Sequence, residues 1–129
     1  MKSNFETLAN EWFKKATTDF RFAKASFHDF DEFYAQMCLL CHDSAEKYLK
    51  GFLVYNKIKP EKTHNLLNLL LECEKIDKKF NQFTEKCKTL NEYYTPLKYP
   101  SYFPPLEKED AAQSILAVEQ LSKFIKEKI

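Results

Sequence analysis

A single glycine, Gly51, serves a chain of 129 residues. Turn-rich β architectures need many residues at positive φ, which glycine alone adopts without steric cost. Four of the five prolines lie between Pro96 and Pro105, with Pro60 the fifth, so most of the chain is free of helix breakers. With 44% hydrophobic and 16% aromatic residues the chain can bury a substantial core. These features predict an all-α fold, and the length suits a single domain over residues 1–129.

Hydrophobic periodicity supplies the elements. Ser3 and Glu6 have capping-box spacing, so the first helix is expected to start near Asn4. Phe5, Leu8, Ala9, Trp12, Ala16, Phe20, Ala23, Phe27 and Phe30 form its apolar stripe. "HDFDE" breaks the pattern, with Asp31 as N-cap of a second helix whose stripe runs from Met37 to Phe52. Thr63 is expected to cap a third, short helix, "HNLLNLLLECEK", apolar nearly all round and therefore buried. A fourth helix follows through Phe80, Phe83, Cys87, Leu90 and Tyr94, then "TPLKYPSYFPP" as an extended loop. The last helix opens on acids and ends on lysines, the order the helix dipole favours. The expected architecture is an up-down four-helix bundle with a short additional helix.

Twenty basic against 19 acidic residues leave a net charge of about +1. That balance provides no global field for nucleic acid or an anionic membrane. No apolar run is long enough to span a bilayer, and a soluble, cytoplasmic chain with no membrane partner is expected. Cys38 and Cys41 form a CxxC, but Cys73 and Cys87 are fourteen apart and in separate helices, which is poor zinc spacing. Reduced thiols and no metal or cofactor are expected. One glycine also excludes a glycine-rich phosphate loop.

Four segments in order carry a resemblance. "WFKKATTDFRFAKA" places Trp12, Ala16, Asp19 and Ala23 in a W-x3-A-x2-D-x3-A helix. "CLLCHDSAEKYLKGFL" holds an A-E-K-x-L-K core at Ala45, Glu46, Lys47, Leu49 and Lys50. "KTHNLLNLL" gives a T-H-N-L helix start at Thr63–Leu66, and "YYTPLKYPS" is similar to a Y-x-P-x-R-Y-P segment with Lys98 at the arginine position. Together they resemble the HEPN domain family, nucleotide-binding helical domains often encoded beside minimal nucleotidyltransferases.

Many members of that family are metal-independent ribonucleases that use an Arg, four to six residues, then His near the start of a late helix. Here no histidine follows His64, and the sole arginine, Arg21, reaches that spacing only with His28 in the first helix. Catalytic residues of that type are therefore not assigned. The resemblance implies a nucleotide- or RNA-binding, non-catalytic partner of a minimal nucleotidyltransferase, homodimeric, or one half of a toxin–antitoxin pair. Two alternatives stand beside it: a ribonuclease with a non-standard set such as His64, Asp19 and Lys47, and a structural interaction module docking through its aromatic loop.

The candidate nucleotide-binding residues are Lys47, Lys50, His64, Lys98 and Tyr99, with Asp19, Asp43 and Glu46 as supporting polar groups. Asp43–Lys47 and Glu46–Lys50 have i, i+4 spacing, so a salt-bridged helix surface is the plain reading. An ammonium beside a groove can also contact phosphate. Asp19 shares the apolar side of its helix and so needs a partner, a tyrosine hydroxyl or a lysine. His64 follows a cap, where it serves either as an anion-site residue or as packing under the 58–63 connection. Tyr99 and Lys98 belong to a stretch with five aromatics in fourteen residues, suited to stacking on bases or to covering the bundle end. His42 is expected to stand in solvent.

Overall fold

The structure, a computed structural model, describes residues 3–98 and 105–129, with the side chains of 95–98 left aside. Five α-helices and one 3₁₀ segment make up the regular structure among the described residues: α1 (Asn4–Asp29), α2 (Tyr34–Tyr55), α3 (Leu66–Glu74), the 3₁₀ segment Lys78–Phe83, α4 (Thr84–Lys98) and α5 (Lys108–Lys126). Helices α1, α2, α4 and α5 run alternately up and down, and α3 packs across α2 and α4. The all-α bundle predicted from glycine and proline usage is the observed one.

Ser3 caps α1 as expected, its Oγ accepting from the Glu6 amide at 3.1 Å. The buried line of α1 is Ala9, Ala16 and Ala23, spaced by seven, whereas Phe5, Leu8 and Phe30 remain exposed. Small residues at heptad spacing let α2 approach closely. Ser44 Oγ donates to the Ala16 carbonyl at 2.7 Å, and the Tyr48 and Thr17 hydroxyls meet at 2.8 Å. Gly51 lies in the same interface, so the chain's one glycine occupies a helix interior rather than a turn. The positions that glycine would suit are held by Phe33 and Lys57, both in the left-handed region at φ 70° and 65°.

Phe33 is also the N-cap of α2, which corrects the expectation for Asp31: the helix starts later, and no side chain caps it. Its ring packs edge-on against Phe30 at the α1–α2 corner. Asn65, not Thr63, caps α3, accepting from the Leu67 and Asn68 amides. Thr63 accepts two residues earlier, from Asn65 N. Helix α3 is less buried than its composition suggests. Leu66, Leu69, Leu70 and Cys73 face inward, but Leu71 is 58% exposed, because so short a helix has room for only one covered face.

The expected fourth helix is divided. Asp77 caps a 3₁₀ turn, and regular α geometry begins at Thr84. Its backbone then runs through Pro96 to Lys98, so the extended loop does not begin at Thr95. The remainder of that loop lies outside the described residues. Helix α5 has the expected charge order, with a reciprocal capping box between Glu107 and Asp110.

The core is centred on α2, with Met37, Cys41, Ala45, Tyr48, Leu49 and Leu53 all essentially inaccessible. At one end, Phe52 packs on Phe80, which meets Phe124 edge-on at 4.9 Å. All four cysteines are buried and free, behaving as small core residues. Burial pushes the Cys38 thiol up to about 11 and the Cys87 thiol up to about 12, with Cys41 and Cys73 raised further. No buried side-chain nitrogen or oxygen among the described residues lacks a hydrogen-bond partner.

Candidate functional site

His42, Glu46 and Lys50 do form one edge of α2, as their spacing of four requires. His64 of the 58–65 connection, Tyr94 of α4 and Trp12 of α1 cover that edge, so it is not a wet surface. His42 is 0% exposed, contrary to the solvent position expected for it, and Glu46 and Lys50 are each only 7% exposed. A residue beside an apolar stripe is covered or bare depending on what a distant segment does, which periodicity cannot report.

Each polar atom on this edge has a defined partner. Glu46 Oε2 accepts from Lys50 Nζ at 2.9 Å, and Glu46 Oε1 accepts from His64 Nδ1 at 2.9 Å. Lys50 also lies over the Trp12 ring, 5.6 Å from its centroid. His42 Nε2 donates to the His64 carbonyl at 2.8 Å, and its Nδ1 lies 3.1 Å from Asp43 Oδ1. Tyr94 of α4 is sandwiched between the two imidazoles, stacked on His42 at 4.9 Å and on His64 at 5.2 Å. One tyrosine thus locks the α2 edge to the start of α3.

His64 remains 63% exposed at its side chain despite this bracing. Its Nδ1 is held by Glu46, so Nε2 is directed away from the buried carboxylate. Thr63, His64, Asn65, Asn91 and Tyr94 line a shallow cleft of about 390 Å³. Asn91 Oδ1 accepts from the Leu66 amide at 2.8 Å, and Asn91 Nδ2 donates to Asn65 Oδ1 at 2.8 Å. The amides of Leu66, Leu67 and Asn68 are therefore satisfied by asparagine side chains. The α3 N-terminus does not present the free backbone donors expected for an anion site. What the cleft offers instead are side-chain donors: the Thr63 hydroxyl, the Asn65 amide and the His64 imidazole.

Asp19 and Lys47 lie elsewhere, paired with each other across the α1–α2 interface. The lysine partner expected for Asp19 is thus confirmed, while Lys47 bonds to Asp19 and not to Asp43 at i−4. Lys47 and Asp19 join Glu11, Lys14, Lys15 and Thr18 around a second hollow of about 550 Å³. A ribonuclease set of His64, Asp19 and Lys47 is not assembled in one cluster: the carboxylate on His64 is Glu46. Arg21 and His28 both stand exposed on α1, with His28 against Asp29. Lys98 ends α4 one turn beyond Tyr94, its side chain outside the description, and Tyr99 lies outside the described residues.

Sequence reasoning missed Asn91 and Tyr94 as site residues. Neither has a local signal, since their partners on α2 and α3 are 25 or more residues away. The strongest available hint was the T-H-N-L start of α3, which contains two of the cleft's polar residues.

The HEPN domain family model matches residues 9–129, nearly the whole chain. This chain belongs to the HEPN domain family. Its fold is similar to the crystal structure of TT1696 from Thermus thermophilus, with 26% identity and a TM-score of 0.79, covering 94% of this chain and 98% of that one. No curated protein matches the chain. No described helix of this HEPN protein is long and apolar enough to cross a membrane.

Proposed function

We propose that this HEPN protein is a nucleotide-binding module that works with a minimal nucleotidyltransferase as its partner, as a homodimer, in an arrangement of the toxin–antitoxin type. One observation carries the binding claim. His64 is braced through Nδ1 by the buried Glu46 and lines a polar cleft with Thr63, Asn65 and Asn91. Bracing matters because a preorganised donor loses little conformational entropy when the ligand arrives. Phosphate oxygens suit hydroxyl, amide and imidazole donors, and the asparagines can also read the edge of a base. Lys50 supports the site by fixing Glu46, while Lys47, still bonded to Asp19, has spare donors for a phosphate in its own, separate hollow.

Isothermal titration with ATP and other nucleotides tests this reading, for the protein alone and with a candidate nucleotidyltransferase. Saturable heat that falls at least tenfold in affinity for His64→Ala is the expected result. Absence of heat in both settings would sink the proposal. Cleavage of total RNA by the purified protein, lost in His64→Ala, would replace it with a ribonuclease reading.

A further inference from the structure

We propose that His42 Nδ1 and the carboxylates of Asp43 and Glu46 form a binding site for a divalent first-row transition metal ion such as zinc. The proposal shares Glu46 with the nucleotide reading and departs from the expectation of no metal drawn from the cysteines. One ligand atom from each of the three residues lies within 4.8 Å of the other two. His42 and Glu46 are buried, and Asp43 is partly open to solvent with 35% of its side chain exposed. Such a site is shielded on two sides and can be entered from the third.

The protons on His42 supply the argument for a cation. The His64 carbonyl can only accept, so Nε2 at 2.8 Å carries a hydrogen. In the neutral ring Nδ1 then holds a lone pair, which faces the Asp43 oxygen 3.1 Å away. The Asp43 oxygen and His42 Nδ1 thus converge on one another within reach of Glu46, as ligands of a single cation would. An N–H to a backbone carbonyl on the far nitrogen is the arrangement that orients metal-ligating histidines.

Distances favour the metal ion's fit. Ligand atoms about 2.1 Å from an ion stand roughly 3.0–3.4 Å apart in octahedral or tetrahedral geometry, which brackets the His42–Asp43 separation. Glu46 completes the trio within the same 4.8 Å. One nitrogen and two carboxylates suit a borderline ion rather than calcium or magnesium. The two carboxylates outweigh the single Lys50 ammonium on Glu46, leaving one net negative charge to attract the ion. Lys50 is at the same time a built-in competitor, as is the His64 Nδ1–H on Glu46 Oε1. Both limit the affinity.

Metal-stripped, tag-free protein titrated with Zn2+ by calorimetry and with Co2+ by visible absorption decides the matter. Expected results are one ion per chain and cobalt d–d bands without a thiolate charge-transfer band. Asp43→Asn should weaken binding roughly tenfold or more, while Lys50→Met should tighten it and His28→Ala should leave it unchanged. No saturable binding, unchanged affinity in Asp43→Asn, or a thiolate-to-cobalt band would each overturn the proposal. The wild-type cobalt spectrum separates these outcomes even if a variant fails to fold.

Discussion

Gly51 of α2 sits directly against the Phe13 ring of α1: a Cβ placed on it would fall 2.5 Å from Phe13 Cε1 and 3.1 Å from Trp12 Cβ. The ring could swing, but Trp12 Cβ is fixed to the α1 backbone. Alanine is favoured over glycine in a helix interior by about 1 kcal/mol, whereas overpacking typically costs about 1–3 kcal/mol. Gly51→Ala is therefore expected to lower stability by about 1 kcal/mol, opposite to its propensity. Thermal unfolding monitored by circular dichroism checks the sign. Adding Phe13→Leu should recover part of the loss, and a rise in Tm for Gly51→Ala alone would refute the close approach.

Asp19 and Lys47 are paired at the α1–α2 interface, with 19% and 28% of their side chains exposed. Removing one partner leaves the other partly buried and uncompensated. Lys47→Met and Asp19→Asn should each destabilise, and the double variant should lose less than the sum. A double-mutant cycle in urea is expected to give a coupling of roughly 1 kcal/mol. Strict additivity would mean the pair does not form in solution.

Asp77 caps the 3₁₀ turn by accepting from Lys79 N and pairs with Lys128 at 2.7 Å, joining the α5 end to the 3₁₀ turn. The hydrogen bond from Lys128 and then that from the Lys79 amide hold its carboxyl below the ordinary 3.8. A depressed folded value means the contribution is present above the unfolded value and lost as pH falls through the folded one. Asp77→Asn keeps a capping oxygen and removes the charge. Wild type should be the more stable at pH 7, and the gap should close on acidification below about pH 4. A gap that persists at pH 2 would assign the effect to packing instead.

The four buried thiols work in the other direction. Burial raises Cys38 and Cys87 from 9.0 to about 11 and about 12, and raises Cys41 and Cys73 beyond these. Raised folded values give stability that is complete below the unfolded value and lost as pH rises through the folded ones. Stability should therefore fall as pH passes 9. Near pH 8, a disulfide reagent should react with the native protein only as fast as it opens, and with all four cysteines at once in denaturant. Fast stoichiometric reaction of any one native thiol would contradict its burial.

What the amino-acid sequence determined by itself was the class of fold and the family. One glycine and clustered prolines permit little but helices, and apolar spacing of three and four residues locates them. Both are local properties of the chain, written within a few turns. The Ser3 cap, the acidic start of α5 and the Glu46–Lys50 pair were legible for the same reason. Tertiary packing alone decided which side of the α2 edge meets water. The 58–65 connection and Tyr94 enclose His42 and turn Glu46 toward His64, and the packing of α1 on α2 gives Lys47 to Asp19 rather than to Asp43. A helix repeat of 3.6 residues fixes which side chains share a face, but burial and pairing depend on segments 18 or more residues away, whose arrival no local period encodes.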